Sequence, residues 1–271
     1  MKPLLSRLPL LTYALLAAYL LTMALRGRNE TTILLVASSV LMFACSWASA
    51  AHLLGPRSAL RFVLIAVVFG WFAEQMGSSR GWFFGEYTYT DVLGARLGDV
   101  PMVIPLMWFS LTYAGYVIAN LIVWRSPVDG SPLWSDALLL SLLAALLVTA
   151  FDLGADPYLV YTLKAWIMTK KDGWWFGETL QGFVGWVTVA FIIIFGWRLS
   201  SRGRPVQPVT DFTRRHALVP VGIYAAAMGF QMIVGNPVET RTIAFFAMGI
   251  PLLCALAGWR LWVPVKAGQN P

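Results

Sequence analysis

Long runs of apolar residues alternate along this chain with short segments that are polar or rich in aromatic side chains. A helix needs roughly 20 apolar residues to cross the hydrocarbon layer of a bilayer, which is about 30 Å thick. Eight runs approach that length: residues 8–25, 32–53, 59–76, 102–124, 134–151, 182–199, 217–234 and 242–261. The pattern predicts an all-α integral membrane protein, a bundle of about eight transmembrane helices. The first run lacks a small-residue cleavage site, so we expect a helix there and not a signal peptide.

Composition supports a membrane protein and adds the domain organisation. Hydrophobic residues make up 58% of the chain and charged residues only 12%, values outside the range of soluble globular domains. No Gly/Ser/Pro-rich or low-complexity linker interrupts the 271 residues, so we expect one transmembrane domain over 1–271.

Basic residues predict the orientation. Five arginines and a single acid occur between residues 198 and 215, the sixth loop. Loops that are rich in Lys and Arg stay in the cytoplasm, so both termini are expected to be cytoplasmic and the protein to span the cell (inner) membrane several times. We attribute the net charge of +7 to this topology and expect no nucleic-acid partner.

Two loops, 77–101 and 152–181, carry most of the polar chemistry. Two predicted spans separate them, so they emerge on the same side of the membrane. The sequence GWFFGE at 81–86 recurs as GWWFGE at 173–178. An interfacial aromatic belt explains such tryptophans; a structural repeat, or paired re-entrant turns, explains the near-identity equally well.

Four carboxyl groups from three segments converge on this side: Glu74, Asp91, Asp152 and Asp156. Glu74 either reaches water from its shallow depth or faces the bundle interior as a functional residue. Asp91 and Asp156 are equally compatible with turn formation. A shared pocket accounts for all four. Tryptophans with π-faces suited to a polyene or a carbocation would wall that pocket: Trp71, Trp82, Trp108, Trp166, Trp174 and Trp175.

The run GEYTYTDVLGARLGDVPMVIPLMWFSLTY, with the later DLGADPYLV and WWFGETLQGFVGW, resembles the membrane carotenoid biosynthesis proteins, a family that includes the bisanhydrobacterioruberin and γ-carotene 1',2'-hydratases. The resemblance covers about residues 60–200. Positions that match the family pattern are Glu74, Tyr87, Tyr89, Asp91, Pro101, Pro105, Trp108, Asp152, Asp156, Gly185 and Trp186. Where the family usually reads V-P-L-x-N, this chain has Glu178 and Thr179 for Val-Pro and Gly182 for Asn.

The resemblance implies a carotenoid hydratase, a hydro-lyase that adds water to the terminal double bond of an acyclic ψ-end and needs no cofactor or metal. Such a reaction requires a protonated acid and an ionised partner that orients water. We assign Asp152 as the acid and Asp91 as the partner, and Glu74 and Asp156 as the alternatives for either role. The expected substrate-binding residues are Trp71, Trp82, Tyr87, Tyr89, Trp108, Trp166, Trp175 and Trp186.

Two other functional classes remain open. A membrane prenyltransferase acting on a carotenoid or other isoprenoid would use Asp152 and Asp156 to hold a Mg²⁺-diphosphate, whereas a non-catalytic carotenoid- or isoprenoid-binding protein would need only the aromatic pocket. His52 and His216 lack a neighbouring ligand at metal-binding spacing, which disfavours a histidine-box oxygenase. The chain contains no G-x-G-x-x-G nucleotide loop.

Overall fold

Eight helices of the structure are long and apolar enough to cross a membrane. The structure is a computed structural model, and it describes residues 8–128, 133–202 and 211–262. Within these residues the helices are α1 (Leu8–Arg26), α2 (Thr32–Leu54), α3 (Pro56–Arg80), α4 (Val103–Trp124), α5 (Trp134–Pro157), α6 (Leu180–Ser201), a short α7 (Asp211–His216), α8 (Leu218–Val234) and α9 (Glu239–Leu261). The predicted bundle of eight transmembrane helices is confirmed; α7 and α8 together supply the seventh span.

Two helices extend beyond their predicted ends. The helix α3 runs to Arg80, where Gly81 in the left-handed conformation caps it. The helix α5 runs to Pro157 and continues as one π-helical turn, Tyr158–Thr162. The extension of α5 places Asp152 and Asp156 on regular helix, as Glu74 is on α3, so backbone geometry fixes the direction of each side chain.

The helix α4 forms the centre of the bundle. It packs against α2, α3, α5, α6, α8 and α9, and most of its residues are buried inside the protein. The outer helices instead expose leucines and other large apolar side chains, as expected for surfaces that face lipid.

The two loops singled out in the sequence meet at one end of the bundle. Strand β1 (Tyr87–Tyr89) belongs to the first loop and pairs antiparallel with β4 (Trp166–Met168) of the second, with Tyr89 opposite Trp166. A second pair, β2 (Arg96–Leu97) and β3 (Val100–Pro101), forms a small hairpin in the first loop. The shared side of the two loops is thus confirmed. Re-entrant turns are not, because the loops form short strands.

The alternation of side chains along β1 decides what the sheet contributes to the site. Successive residues of a strand point to opposite faces. Tyr87 and Tyr89 are therefore buried beneath the loops, whereas Thr88 between them is exposed.

Candidate active site

A cavity of about 290 Å³ opens beneath the paired loops, between the ends of the helices. Its wall is mostly apolar, and its rim carries the exposed charged residues Arg80, Glu86 and Lys170. Four buried carboxyl groups line it: Glu74, Asp152, Asp156 and Glu178. An acidic centre inside an apolar wall is costly to maintain, and such groups in a membrane protein usually serve a function.

Glu74 is held as a hydrogen-bond acceptor by three side chains. Its Oε2 accepts from the hydroxyls of Tyr87 at 2.5 Å and Tyr89 at 2.7 Å, and its Oε1 accepts from Trp108 Nε1 at 2.8 Å. Burial, and then the charge of Glu74, raise the pKa of each tyrosine well above its usual value, so both phenols remain donors. Three donors stabilise the ionised form of a carboxyl group.

Asp152 and Glu178 have a different environment. Their side chains are 1% and 3% exposed, and the two carboxyl groups contact each other as hydrogen-bonding partners. Within the described residues, Asp152 Oδ2 and Glu178 Oε2 receive no hydrogen bond from any donor. A buried carboxylate without donors is costly, which favours a proton on this pair.

Burial and neighbouring carboxyl groups determine the pKa of Glu178. Burial is the largest cause that raises the pKa of Glu178, to about 9, and the charge of Asp156 adds to it, whereas the hydrogen bond with Asp152 acts in the opposite direction. Burial and the charge of Asp156 thus favour the protonated form of Glu178 at neutral pH. Asp156 lies one helical turn beyond Asp152 and accepts a hydrogen bond from the indole of Trp166.

Aromatic side chains form much of the remaining wall. Trp108 and Trp186 lie against each other with ring centroids 4.6 Å apart, and Phe84 stacks on Trp108 at 6.2 Å. Trp166 meets Tyr89 edge to face at 5.9 Å. The site thus offers π-faces within the same cavity as the carboxyl groups, an arrangement that attracts cations.

An ion pair lies beside the part of the cavity that α1 and α2 line. Arg26 pairs with Glu30 at 2.8 Å and donates to Ser38 at 3.0 Å. Tyr158 donates to the same glutamate at 3.0 Å. Since these charges satisfy each other, this end adds little net field to the acidic centre.

Asp91 does not join the other three predicted carboxyl groups. Its side chain is fully exposed and pairs with Arg96 at 2.7 Å. The cause is local: Asp91 begins a 3₁₀ turn, and the hydroxyl of the neighbouring Thr90 donates to the Lys164 carbonyl at 2.6 Å. The expectation of a pocket shared by Glu74, Asp91, Asp152 and Asp156 is therefore wrong for Asp91.

Some of the predicted substrate-binding residues line the cavity and others lie outside it. Those that line the cavity are Tyr87, Tyr89, Trp108, Trp166 and Trp186. Trp71 and Trp175 lie outside its lining and donate to the carbonyls of Leu97 and Leu153, each at 3.0 Å. Trp82 is 53% exposed and also lies outside the lining. Tryptophans outside the lining fit the interfacial-belt interpretation.

Sequence reasoning missed that Glu178 is buried and lines the cavity. The signal was present, because Glu178 ends the second copy of the repeat and departs from the family pattern. Its position follows from the backbone: Gly173 pairs with Gly177, the Glu178 N–H donates to Trp175 O at 2.9 Å, and Thr179 caps α6. Among the described residues, no group of three His, Cys, Asp or Glu side chains is arranged to hold a metal ion.

The fold and the site define a class: a multi-pass membrane protein with an acidic, aromatic-walled cavity at one end of its helix bundle. Comparison with known proteins gives the family. The chain belongs to the carotenoid biosynthesis protein family, whose model matches residues 11–255.

One characterised relative is the bisanhydrobacterioruberin hydratase of Haloarcula japonica. It is 30% identical over 132 residues, which cover 48% of this chain and 41% of the relative. The chain thus spans less than half the length of that relative. No solved structure matches the chain.

Proposed function

We propose that this protein is a carotenoid 1',2'-hydratase, which adds water across the terminal C1–C2 double bond of an acyclic ψ-end. The observation that carries the proposal is the contrast between its buried carboxyl groups. Glu74 accepts three hydrogen bonds and suits an ionised role, whereas the Asp152–Glu178 pair has oxygens without donors and suits a protonated one. Hydration requires both kinds of group. Family membership and the name of the relative support the same chemistry.

The size of the cavity indicates how the substrate binds. A volume of about 290 Å³ is at the lower limit for a drug-sized ligand, and a C40 or C50 carotenoid is much longer. The cavity therefore receives one end group, and the remainder of the polyene extends away from it along the protein and the lipid. A substrate with two ψ-ends would bind once for each hydration.

The first step is protonation. Asp152 delivers its proton to C2, and the electron pair of the double bond forms the new C–H bond, leaving a tertiary cation at C1. Trp108 and Trp186 present π-faces to this cation. The carboxylates of the cavity carry negative charge, so they stabilise the positive charge that develops at C1.

Capture by water completes the reaction. Glu74 orients a water molecule towards C1 and accepts a proton from it as the C–O bond forms. Glu74 then returns that proton to the aqueous rim, and Asp152 is protonated again. The balance is one water added per double bond, without change of oxidation state.

Prenyl transfer is the second candidate, because Asp152 and Asp156 lie one helical turn apart and both line the cavity. In that case the two carboxylates would bind the Mg²⁺ of a prenyl diphosphate, with Arg80 and Lys170 at the rim near the phosphates. This function requires added Mg²⁺ and a prenyl diphosphate for any conversion.

Expression in a lycopene-producing bacterium tests the proposal directly. We expect pigment whose mass has increased by one or two waters, and no such pigment with Asp152→Asn at equal protein level in the membrane. The control is Glu239→Gln, an exposed residue outside the cavity lining, which should behave as wild type. Unaltered lycopene with a folded, membrane-inserted wild-type protein would contradict the hydratase proposal for this substrate.

A further inference from the structure

Asp152 must regain a proton after each hydration, and Glu178 is the carboxyl group in contact with it. Asp152 lies on the transmembrane helix α5 and is 1% exposed, so its carboxyl group has little direct contact with bulk water. Every turnover nevertheless removes one proton from it. A group in contact with Asp152, in the cavity that opens to the rim, can replace that proton.

Glu178 occupies such a position. It lies in the loop segment that precedes α6, contacts the Asp152 carboxyl group, and lines the same cavity as the exposed rim residues Lys170 and Gln181. Its Oε2 is buried without a hydrogen-bond donor, so a proton on this carboxyl group is favoured over a charge. Protonated, it is a donor that faces the acid.

We propose that Glu178 is the proton donor that recharges Asp152 after each protonation of substrate. The inference rests on the proposed hydratase function. In the step, the O–H bond of Glu178 breaks, its proton forms a new O–H bond on the Asp152 carboxylate, and Glu178 becomes the carboxylate. Glu178 then regains a proton from water at the rim. No oxidant, reductant or further reactant takes part.

The titratable groups around Glu178 favour the presence of a proton on it before each transfer. Asp156 faces it from α5, and Glu74 acts on Asp152 from α3; the charged residues at the rim are Arg80, Glu86 and Lys170. The nearest of these are acidic and buried. They keep Glu178 protonated at neutral pH, and the rim provides contact with solvent.

Gly182 provides the space that the arrangement needs. A Cβ atom at this position would lie 2.8 Å from Glu178 Oε1 and 3.1 Å from its Cγ, so Gly182→Ala moves the carboxyl group away from Asp152. The contact is with the end of a flexible side chain, which can rotate, so folding should be little affected. Gly196 on the same helix is the matched control, because a Cβ atom there would meet only Ile65 Cγ2 at 3.9 Å.

The experiment measures hydration rate against pH for purified protein with lycopene. Wild-type activity should fall as pH rises through about 9, where Glu178 loses its proton. Glu178→Gln should lower the maximal rate about 100-fold and remove that alkaline transition. Glu178→Asp should restore part of both, Gly182→Ala should reduce the rate, and Gly196→Ala should match wild type.

An infrared measurement separates this inference from the proposed function. At neutral pH, Glu178→Gln should remove a carbonyl band of a protonated carboxyl group, whether or not the substrate is correct. If wild type makes no hydrate but the band is lost in the variant, the hydratase proposal fails while the protonated state of Glu178 stands. If Glu178→Gln keeps the wild-type rate and alkaline transition, or keeps the band, the recharging role is wrong.

Discussion

At the scale of single residues, environment distinguishes carboxyl groups that share one cavity. Glu74 is surrounded by donors, and the tyrosines that supply two of them come from the buried face of β1. Asp152 contacts another acid and has an oxygen without a donor. These neighbours favour opposite protonation states, because donors stabilise a carboxylate and burial without donors destabilises it.

Removing one donor to Glu74 should weaken the site in a graded way. Tyr89→Phe deletes the 2.7 Å hydrogen bond and leaves a buried carboxylate with fewer donors, which costs about 1–3 kcal/mol. We expect a lower melting temperature in detergent and a lower hydration rate. Tyr13→Phe is the control, since Tyr13 is 37% exposed and lies outside the cavity lining. Equal behaviour of the two variants would contradict the assigned role of Glu74.

The exposed position of Asp91 leads to a second residue-scale prediction. Asp91→Asn removes only a solvent-exposed ion pair with Arg96, an interaction worth about 0–1 kcal/mol. We expect normal accumulation and normal product, in contrast to the complete loss expected for Asp152→Asn. Loss of product with Asp91→Asn, at normal protein level, would show that Asp91 reaches the reacting atoms in a conformation other than this one.

At the scale of elements, the sequence was informative about spans and less so about loops. Hydropathy predicts the eight helices because each must satisfy its own backbone hydrogen bonds in lipid. The repeat at 81–86 and 173–178 is equally visible, yet its two glutamates have different positions. Glu86 leads into strand β1 and is exposed at the rim, whereas Glu178 leads into α6 and is buried. The six residues of each copy do not predict whether its glutamate is buried. The strand or helix that follows each copy determines that.

Two of the three departures from the family pattern illustrate the same limit. Glu178 and Gly182 stand apart in the sequence, and each alone suggests an isolated substitution. In the structure a side chain at position 182 would occupy the space of the Glu178 carboxyl group. They therefore form one structural change: a carboxyl group from the loop fills the space beside a glycine of the helix.

Pairing of the two loops gives a prediction at this scale. Thr88 and Ile167 are opposite each other in the β1–β4 register and both are exposed. In a Cys254→Ser background, Thr88→Cys with Ile167→Cys should form a disulfide under mild oxidation, detected as a mobility shift in non-reducing gels. Thr88→Cys with Trp174→Cys is the control, because Trp174 is exposed outside that strand pair. Cross-linking of the control alone would show a different arrangement of the loops.

At the scale of the whole molecule, the described residues concentrate buried acids at one end of the bundle. The orientation of this end in the membrane is a prediction from the arginines of the sixth loop, of which Arg204 lies outside the described residues. Reporter fusions after Arg204 and after Glu86 should report opposite sides, with the Arg204 fusion cytoplasmic. The same side for both fusions would contradict an odd number of spans between them, and opposite sides with the Arg204 fusion outside would invert the orientation.

The last prediction concerns the reaction of the assembled site. In the proposed mechanism Asp152 exchanges its proton with solvent through the rim and Glu74 binds the attacking water, so the added hydrogen and the added oxygen should both come from water. In heavy water the hydroxylated carotenoid should carry one non-exchangeable deuterium at C2 for each double bond hydrated. In ¹⁸O-water the tertiary hydroxyl should carry the label, while an atmosphere of labelled O₂ should leave it unlabelled.

Activity should continue in the presence of a chelator and without NAD(P)H or oxygen. Oxygen derived from O₂ would indicate a monooxygenase, and strict dependence on Mg²⁺ with a prenyl diphosphate would indicate prenyl transfer by Asp152 and Asp156; either result would exclude hydration by protonation.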